Sequence, residues 1–378
     1  MSRRWMPGDA MPRGTSRYTL PHWGDLAGAR GKIMSLGRTF ADVFDPRANT
    51  LNFIRLCLAL SVIVWHSFPL TGHDIESAQL RQFVGEVGVD GFFAISGYLI
   101  VSSWMRDPHA GRYLRARALR ILPAFWVCLI ITAFVIAPLV SGVFGTDNLT
   151  YVGVNAALRI FQEDIAGTPL GVPYEGVWNG SLWTLWWEFL CYLAVLALGA
   201  VGLLKRRWAT TILFALTLAV ATAVAVGAIE NWYAVRGSRF ALMFLAGALI
   251  WQWRAHIRVS WVLALGAAVV LLGSLWLPDY RLLGALPLAY LVMVAGAVLK
   301  TPRLRLRNDI SYGVYIYAFP AQQIVASWGV DSVVGMALLA TVLTLPLATA
   351  SWFLVERPAM QLKGRRPAIA PAEPAAAL

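Results

Sequence analysis

Apolar residues in this chain fall in long runs, not at alternating or heptad positions. Ten runs stand out, at about 51–71, 88–104, 121–141, 182–204, 209–229, 238–253, 259–277, 284–300, 309–328 and 333–354. A helix rises about 1.5 Å per residue and the hydrocarbon core of a bilayer is about 30 Å thick, so runs of this length predict membrane-spanning helices. The run at 238–253 is the shortest. The expected fold is therefore all-α and polytopic, with about ten transmembrane helices. Between runs the chain is polar. The connection at about 142–181 is the longest and is rich in loop residues, as functional loops often are.

Charge orients this pattern. One set of connections holds Arg106, Arg112, Arg115, Arg117 and Arg120, then Lys205, Arg206 and Arg207, then Arg254 and Arg258, then Lys300, Arg303, Arg305 and Arg307. The alternate set carries few cations beside Asp74, Glu76, Glu86, Asp147, Glu163, Asp164, Glu175, Glu230, Asp279 and Asp331. By the positive-inside rule both termini are expected in the cytoplasm. The net charge of +12 is thereby accounted for without a nucleic-acid partner. Composition agrees: the chain is 58% hydrophobic and 14% charged, against about 25% charged in soluble domains. Residues 1–50 are expected to form a mobile cytoplasmic extension that is not a cleaved signal peptide. Residues 51–358 form the membrane domain, and 359–378 a disordered cytoplasmic tail. Cys57, Cys128 and Cys191 all fall in apolar runs without a CxxC spacing, so they read as buried apolar residues and not as a metal site or disulfide framework. No internal repeat supports an inverted-repeat transporter.

A few polar residues interrupt the runs. Arg55 and His66 lie in the first run, eleven residues apart, which brings them to within about 20° on a helix and separates them by about 16 Å in depth. Ionisable groups at such depth mark functional sites by default. His66 is the only one of five histidines inside a run, and imidazole titrates in the range suited to a general base. The plainer readings are an inert interfacial histidine and an arginine snorkelling to headgroups. Asp90, in Gly88-Val-Asp-Gly-Phe-Phe-Ala-Ile-Ser-Gly-Tyr-Leu-Ile100, reads as a helix-start residue or as the group that orients His66. Gly91, Ser96 and Gly97 suit close helix packing. The basic stretch Arg112 to Pro123 reads as inner-leaflet charge or as a holder of phosphates. Glu188 sits inside the fourth run beside Trp183, Trp186 and Trp187, and should face the bundle interior. The indoles read as an aromatic belt or as a platform for a sugar ring.

Taken in order, these stretches resemble the acyltransferase 3 family of integral membrane acyltransferases. The resemblance covers about 51–358. It rests on the arginine, ten residues, histidine motif (Arg55, His66), the Gly88–Ile100 stretch, the Arg-x-x-Arg-Ile-x-Pro pattern (Arg117, Arg120, Ile121, Pro123), Ser181 through Glu188, and the closing Val355-Glu-Arg-Pro358. One departure is that family members often carry a Trp-His-x-Pro stretch where this chain has Tyr317 and Ala318 before Phe319 and Pro320. The resemblance implies an O-acyltransferase of the bacterial inner membrane that takes acetyl-CoA, or another acyl-CoA, from the cytoplasmic face and acylates an extracytoplasmic glycan or lipid-linked sugar. It implies that Arg55, Arg115, Arg117 and Arg120 hold the donor. His66 would be the general base or a transient acyl carrier, with Glu188 or Asp90 orienting the ring. Trp183, Trp187 and Ser181 would meet the acceptor. Two other classes fit the residues alone: a flippase using Arg55 and Glu188 as binding charges, and a non-catalytic partner subunit.

Overall fold

The computed structural model describes residues 37–363, so the expectations for residues 1–36 and 364–378 lie outside the described residues. Among the described residues the chain is helical and has no β-strand. The main helices are α1 (Leu51–Ser67), α2 (Ala78–Arg106), α3 (Ala110–Ile131), α4 (Thr146–Asn155), α5 (Thr184–Ala200), α6 (Arg207–Ala225), α7 (Trp232–Gln252), α8 (Trp261–Ser274), α9 (Arg281–Val298), α10 (Ser311–Ser327) and α11 (Val333–Ser351). Each of the ten apolar runs coincides with one of these helices. Among the described residues seven helical stretches are long and apolar enough to cross a membrane: Leu51–Thr71, Ala78–Arg106, Ala110–Ser141, Arg207–Ala225, Trp232–Gln252, Arg281–Val298 and Val333–Gln361. Of the remaining runs, those in α5 and α8 form shorter apolar helices, while α10 is enclosed by its neighbours along nearly its whole length. Burial explains its unusual composition: Gln322 and Gln323 are fully buried, and their amides donate to Ile63 O and Ser67 Oγ and to Tyr174 O and Val177 O.

Several boundaries differ from the sequence reading, each for a local reason. Residues 37–50, expected to be mobile, are docked. Phe40 N–H donates to Ile257 O, Val259 N–H donates to Arg38 O, and the Phe40 ring packs edge-on against Tyr290 with no exposure of its own. Helix α2 starts ten residues before Gly88, with Ser77 capping the Leu80 N–H. Asp90 is therefore three turns inside α2 and caps nothing. The basic run 112–120 does not precede a helix; it forms the first turns of α3. Cys57 is exposed on α1, so only Cys128 and Cys191 fit the expectation of shielded thiols.

Two helices continue through π turns. α3 extends through Thr132–Ile136 to Ala137–Ser141, and α11 through Trp352–Glu356 to Arg357–Gln361. A π turn frees a backbone carbonyl from the i→i−4 ladder. In α3 the Asn148 amide of α4 donates to Ala133 O and so ties the long 142–181 connection to the bundle. That connection is packed, not open. Trp178 is fully buried with its indole N–H on Thr168 Oγ1, and Asn155 binds the backbone of Phe161 and Gln162 from both ends of its amide.

The closest helix crossing joins α2 to α7. A Cβ at Gly97 would lie 1.9 Å from Phe244 O, and one at Gly247 would lie 1.8 Å from Ala94 O. Lipid offers no hydrophobic drive between helices, so backbone approach of this kind carries the packing. Gly97→Ala or Gly247→Ala is expected to push the two helices apart and destabilise the fold by at least about 1–3 kcal/mol. Loss of a monodisperse peak on heating, compared with wild type in the same detergent, measures this.

At the turn between α2 and α3, Asp107 accepts from Arg112 Nε and from His109 Nδ1 at 2.8 Å each. The Arg112 guanidinium, chiefly, and the His109 hydrogen bond hold its carboxyl down at about 2, from an ordinary 3.8. The folded pKa is depressed, so the small stabilisation is present above the ordinary value and is lost as pH falls through the folded one. Asp107→Asn should remove that part of the acid dependence of the unfolding temperature and leave neutral pH nearly unchanged.

Candidate active site

The site begins with Arg55, one turn into α1. Its guanidinium donates to Asp309 Oδ2 at 2.5 Å and lies over the Phe92 ring, 5.7 Å from its centroid. The same Asp309 oxygen accepts from Arg120 at 2.7 Å, while Ser311 Oγ donates to the other oxygen. Arg120 turns its second amino group to Glu356 Oε2 at 2.8 Å and lies over the Tyr312 and Trp352 rings. Ser351 Oγ donates to the remaining Glu356 oxygen. Two arginines and two carboxylates from α1, α3, α11 and the segment before α10 thus form one closed network. It lies at the end of the bundle that carries the described termini. The π turn at Trp352–Glu356 aims Glu356 inward. Without that extra residue the helix face would be re-phased.

Arg55 also lines a small cavity in the bundle, with Phe92, Thr184, Glu188, Tyr312 and Tyr315. Glu188 Oε1 accepts from Ser96 Oγ at 2.9 Å and from Tyr192 O–H at 2.5 Å. Its other oxygen has no protein partner among the described residues. A cation and a carboxylate therefore share one space without forming an ion pair, and the rest of its lining is uncharged.

His66 is further along the same face of α1, near the opposite end of the bundle. Its Nδ1–H donates to Val62 O at 3.0 Å, which leaves Nε2 as the bare nitrogen. The ring packs edge-on against Phe319, with centroids 5.2 Å apart. Phe319 in turn contacts Tyr174 and covers Gly180, where a Cβ would lie 2.6 Å from the ring. Tyr174 and Gly180 line a second, larger cleft of about 1230 Å³ with Trp183, Trp186, Trp187 and Trp232. Phe319 thus stands between the imidazole and this aromatic cleft. Helix α5 divides the two spaces: Thr184, Leu185 and Glu188 face the inner cavity, and Trp183, Trp186 and Trp187 face the cleft. In the cleft, Arg236 lies over both Trp183 and Trp232, at 4.9 and 4.7 Å, and its buried Nε has no partner.

The structure brings together some of the residues singled out from sequence and separates others. Arg55 and Glu188 meet in one cavity. Neither Glu188 nor Asp90 reaches His66, whose tautomer is set by the Val62 carbonyl. Asp90 is fully buried and accepts from Tyr280 O–H and Arg281 Nε at 2.6 Å each and from Arg239 Nε at 3.3 Å. Arg281 also pairs with Glu86 and Asp279. Asp90 is thus the anchor that joins α2 to α7 and α9, not the partner of the imidazole. Trp183 and Trp187 line the aromatic cleft. Ser181 is buried, with its carbonyl accepting from Tyr315 O–H, and does not line the cleft. Arg120 is committed to two carboxylates. Arg117 lies over Tyr113 and Tyr192 with its buried Nε unpartnered, and Arg115 is exposed.

Sequence reasoning missed Asp309, Tyr312, Tyr315 and Phe319. It quoted Glu356 without a role. Nothing local marks either carboxylate, because the arginine partners of Asp309 and Glu356 are at least 189 positions away in sequence. Among the described residues no cluster of three His, Cys, Asp or Glu side chains could hold a metal ion.

An all-helical bundle with several helices long and apolar enough to cross a membrane, a half-buried cation and carboxylate lining one cavity and an aromatic cleft beyond them defines an integral membrane protein. The chain belongs to the acyltransferase 3 family, whose model, described as an acyltransferase domain, matches residues 49–355, and it is an acyltransferase. It is similar to an "O-acetyl transferase" of Shigella phage Sf6, 30% identical over 329 residues, which cover 82% of this chain and 96% of that protein. It is also similar to "Nodulation protein 10" of Rhizobium leguminosarum bv. viciae, at 28% identity over 83% of this chain and 94% of that one. A third relative is the "Exopolysaccharide production protein ExoZ" of Rhizobium meliloti, at 29% identity over 80% and 96%. No solved structure matches the chain.

Removing Asp309 should do more harm than removing either arginine, because it leaves Arg55 without an ion-pair partner and takes from Arg120 one of its two carboxylates. Loss of one partner of a buried pair typically costs about 3–5 kcal/mol. Asp309→Ala is expected to lower the unfolding temperature more than Arg55→Gln does, measured on purified protein in one detergent.

Proposed function

We propose that this protein is an O-acetyltransferase of the bacterial inner membrane that moves acetyl from acetyl-CoA to a hydroxyl of an extracytoplasmic polysaccharide or lipid-linked sugar. In this reading the bundle has ten spans and both termini are cytoplasmic, which the distribution of Lys and Arg among the connections favours. The observation that carries the proposal is the stacking of three features along α1 and α5. Arg55 and Glu188 line an inner cavity toward the termini, His66 lies about 16 Å further along α1, and the tryptophan-walled cleft opens beside His66. Acetyl transfer is in keeping with the name of the phage relative, and a polysaccharide acceptor with that of the exopolysaccharide relative.

The donor would enter from the terminal end, with Arg55 holding its arm in the inner cavity so that the thioester extends along α1 toward His66. Arg117 carries a buried Nε without a partner, which suits a cation awaiting an anionic ligand. A sugar in the outer cleft would stack on Trp183 and Trp187. His66, held through Nδ1 by Val62 O, presents Nε2 to the acceptor hydroxyl as general base; this tautomer is the one base catalysis requires. Movement of the Phe319 ring would open the path between imidazole and cleft. The hydroxyl oxygen then attacks the thioester carbonyl carbon, the C–S bond breaks, and the proton taken by Nε2 passes to the departing thiolate of CoA.

The test is acetyl transfer from radiolabelled acetyl-CoA by purified protein in nanodiscs, with surface glycan as acceptor. A positioned base contributes about 10²–10⁴-fold, so His66→Ala is expected to lose activity by that factor while still binding donor. Full activity in His66→Ala would end its role as base. Arg55→Ala binding acetyl-CoA as tightly as wild type would remove Arg55 from donor recognition.

A further inference from the structure

Beneath Arg55, at the end of the bundle bearing the termini, lies a cleft of about 950 Å³ between the 46–52 segment and the 302–307 segment. Arg47, Arg305 and Arg307 line it, together with Asn49 and Asn52. No carboxylate lines the cleft, and none of the three arginines forms an ion pair among the described residues. Its walls are ordered by hydrogen bonds that spare most of the guanidinium donors. Arg305 reaches across to Arg47 O at 3.3 Å, Asn52 Nδ2 donates to Leu306 O at 3.0 Å, and Asn49 Nδ2 donates to Asp45 O and Pro46 O. Asp45 is nearby, but its side chain caps the Arg47 N–H.

The cleft leads toward the inner cavity. Asn52 is one helical turn before Arg55 on the same face of α1, a rise of about 4.5 Å. On the opposite wall, Arg307 is two residues before Asp309, the carboxylate that holds Arg55. A ligand with its anionic end on the three arginines and an uncharged arm pointing along α1 would therefore pass Arg55 and enter the inner cavity. Three guanidiniums without a counter-charge repel one another, and a polyphosphate relieves that repulsion while matching the planar donor forks. By contrast, of the arginines on α3, Arg112 is spent on Asp107 and Arg120 on Asp309 and Glu356.

We infer that this cleft, through Arg47, Arg305 and Arg307, is a binding site for the phosphate groups of a nucleotide-linked acyl donor, and so selects a CoA thioester at the cytoplasmic mouth. The assignment rests on the donor reading given above. The shared chemistry is a phosphate cluster, which an anionic lipid headgroup also carries, so the experiment separates the two.

Purified full-length protein is placed in nanodiscs of neutral phosphatidylcholine, and binding of CoA, 3′-dephospho-CoA and inorganic pyrophosphate is measured by calorimetry. A charged hydrogen bond lost per arginine predicts roughly ten- to a hundredfold weaker CoA binding in R305Q and R307Q, and more in the triple R47Q/R305Q/R307Q variant. R305K should recover part of the loss, which a folding defect would not allow. The penalty should shrink for 3′-dephospho-CoA, which has one phosphate fewer. Unchanged CoA affinity in the triple variant overturns the cleft assignment and leaves the donor reading standing. Failure of wild type to bind CoA overturns the donor reading and this site with it. In a second arm the nanodiscs carry phosphatidylglycerol; if the variants lose only enrichment of that lipid around the protein and bind CoA as wild type does, the cleft is a headgroup site and the inference is wrong.

Discussion

The Asp309 carboxylate, shared between Arg55 and Arg120, sets the architecture of the site. Two permanent cations stand inside a bundle meant for lipid, where an unpaired charge is costly. A single oxygen of Asp309 meets both, and Glu356 supplies the second negative charge through Arg120. The group is neutral as a whole, and it draws on four different parts of the chain. For Arg55 to reach Asp309, α1 must lie beside the start of α10; for Arg120 to reach Glu356, α3 must lie beside the end of α11. The network therefore sets the relative depth of these helices. It also leaves Arg55 with one face on Asp309 and another toward Phe92 and the cavity.

A second network does the corresponding task near the other end. Asp90, Glu86 and Asp279 surround Arg281, with Tyr280 and Arg239 completing the Asp90 shell. Together with the backbone approach at Gly97 and Gly247, it clamps α2 between α7 and α9. With α2 held on one side and α10 enclosed in the centre, α5 is left to present two different faces. One face offers Thr184 and Glu188 to the inner cavity, and the other offers indoles to the outer cleft. The separation of donor and acceptor spaces proposed above depends on this two-faced helix and on the Phe319 ring beside His66.

Much of the fold was legible from the chain. Long apolar runs specify helices because backbone polar groups in lipid must be satisfied within the segment, and all ten runs proved helical. The limits of the elements were less legible. Helix α2 begins ten residues early because its first turns are polar on the face that meets the 275–281 segment, where Gln82 binds Leu275 O and Leu277 O. The basic run of α3 looked like a connection because its charge resembled inner-leaflet charge. Its Arg120 turns inward only because Asp309 and Glu356, distant in sequence, await it. The docking of residues 37–50 was likewise invisible, since it depends on backbone pairing with Ile257 and Val259.

The sequence by itself determined the class of the molecule, the family and the residue types capable of chemistry. Each follows from local composition or short-range spacing: run length against bilayer thickness, Arg55 and His66 on one helical stripe, Glu188 among tryptophans. The tertiary structure decided which of these groups meet. It joined Arg55 to Glu188 in a cavity, gave Asp90 to Arg281 and Arg239 instead of His66, and left the His66 tautomer to its own helix backbone. Partner choice among buried charges depends on contacts between residues up to 254 positions apart, as between Arg55 and Asp309. No local pattern encodes such a pairing, because the free energy that selects it arises only when the helices have packed and water has left.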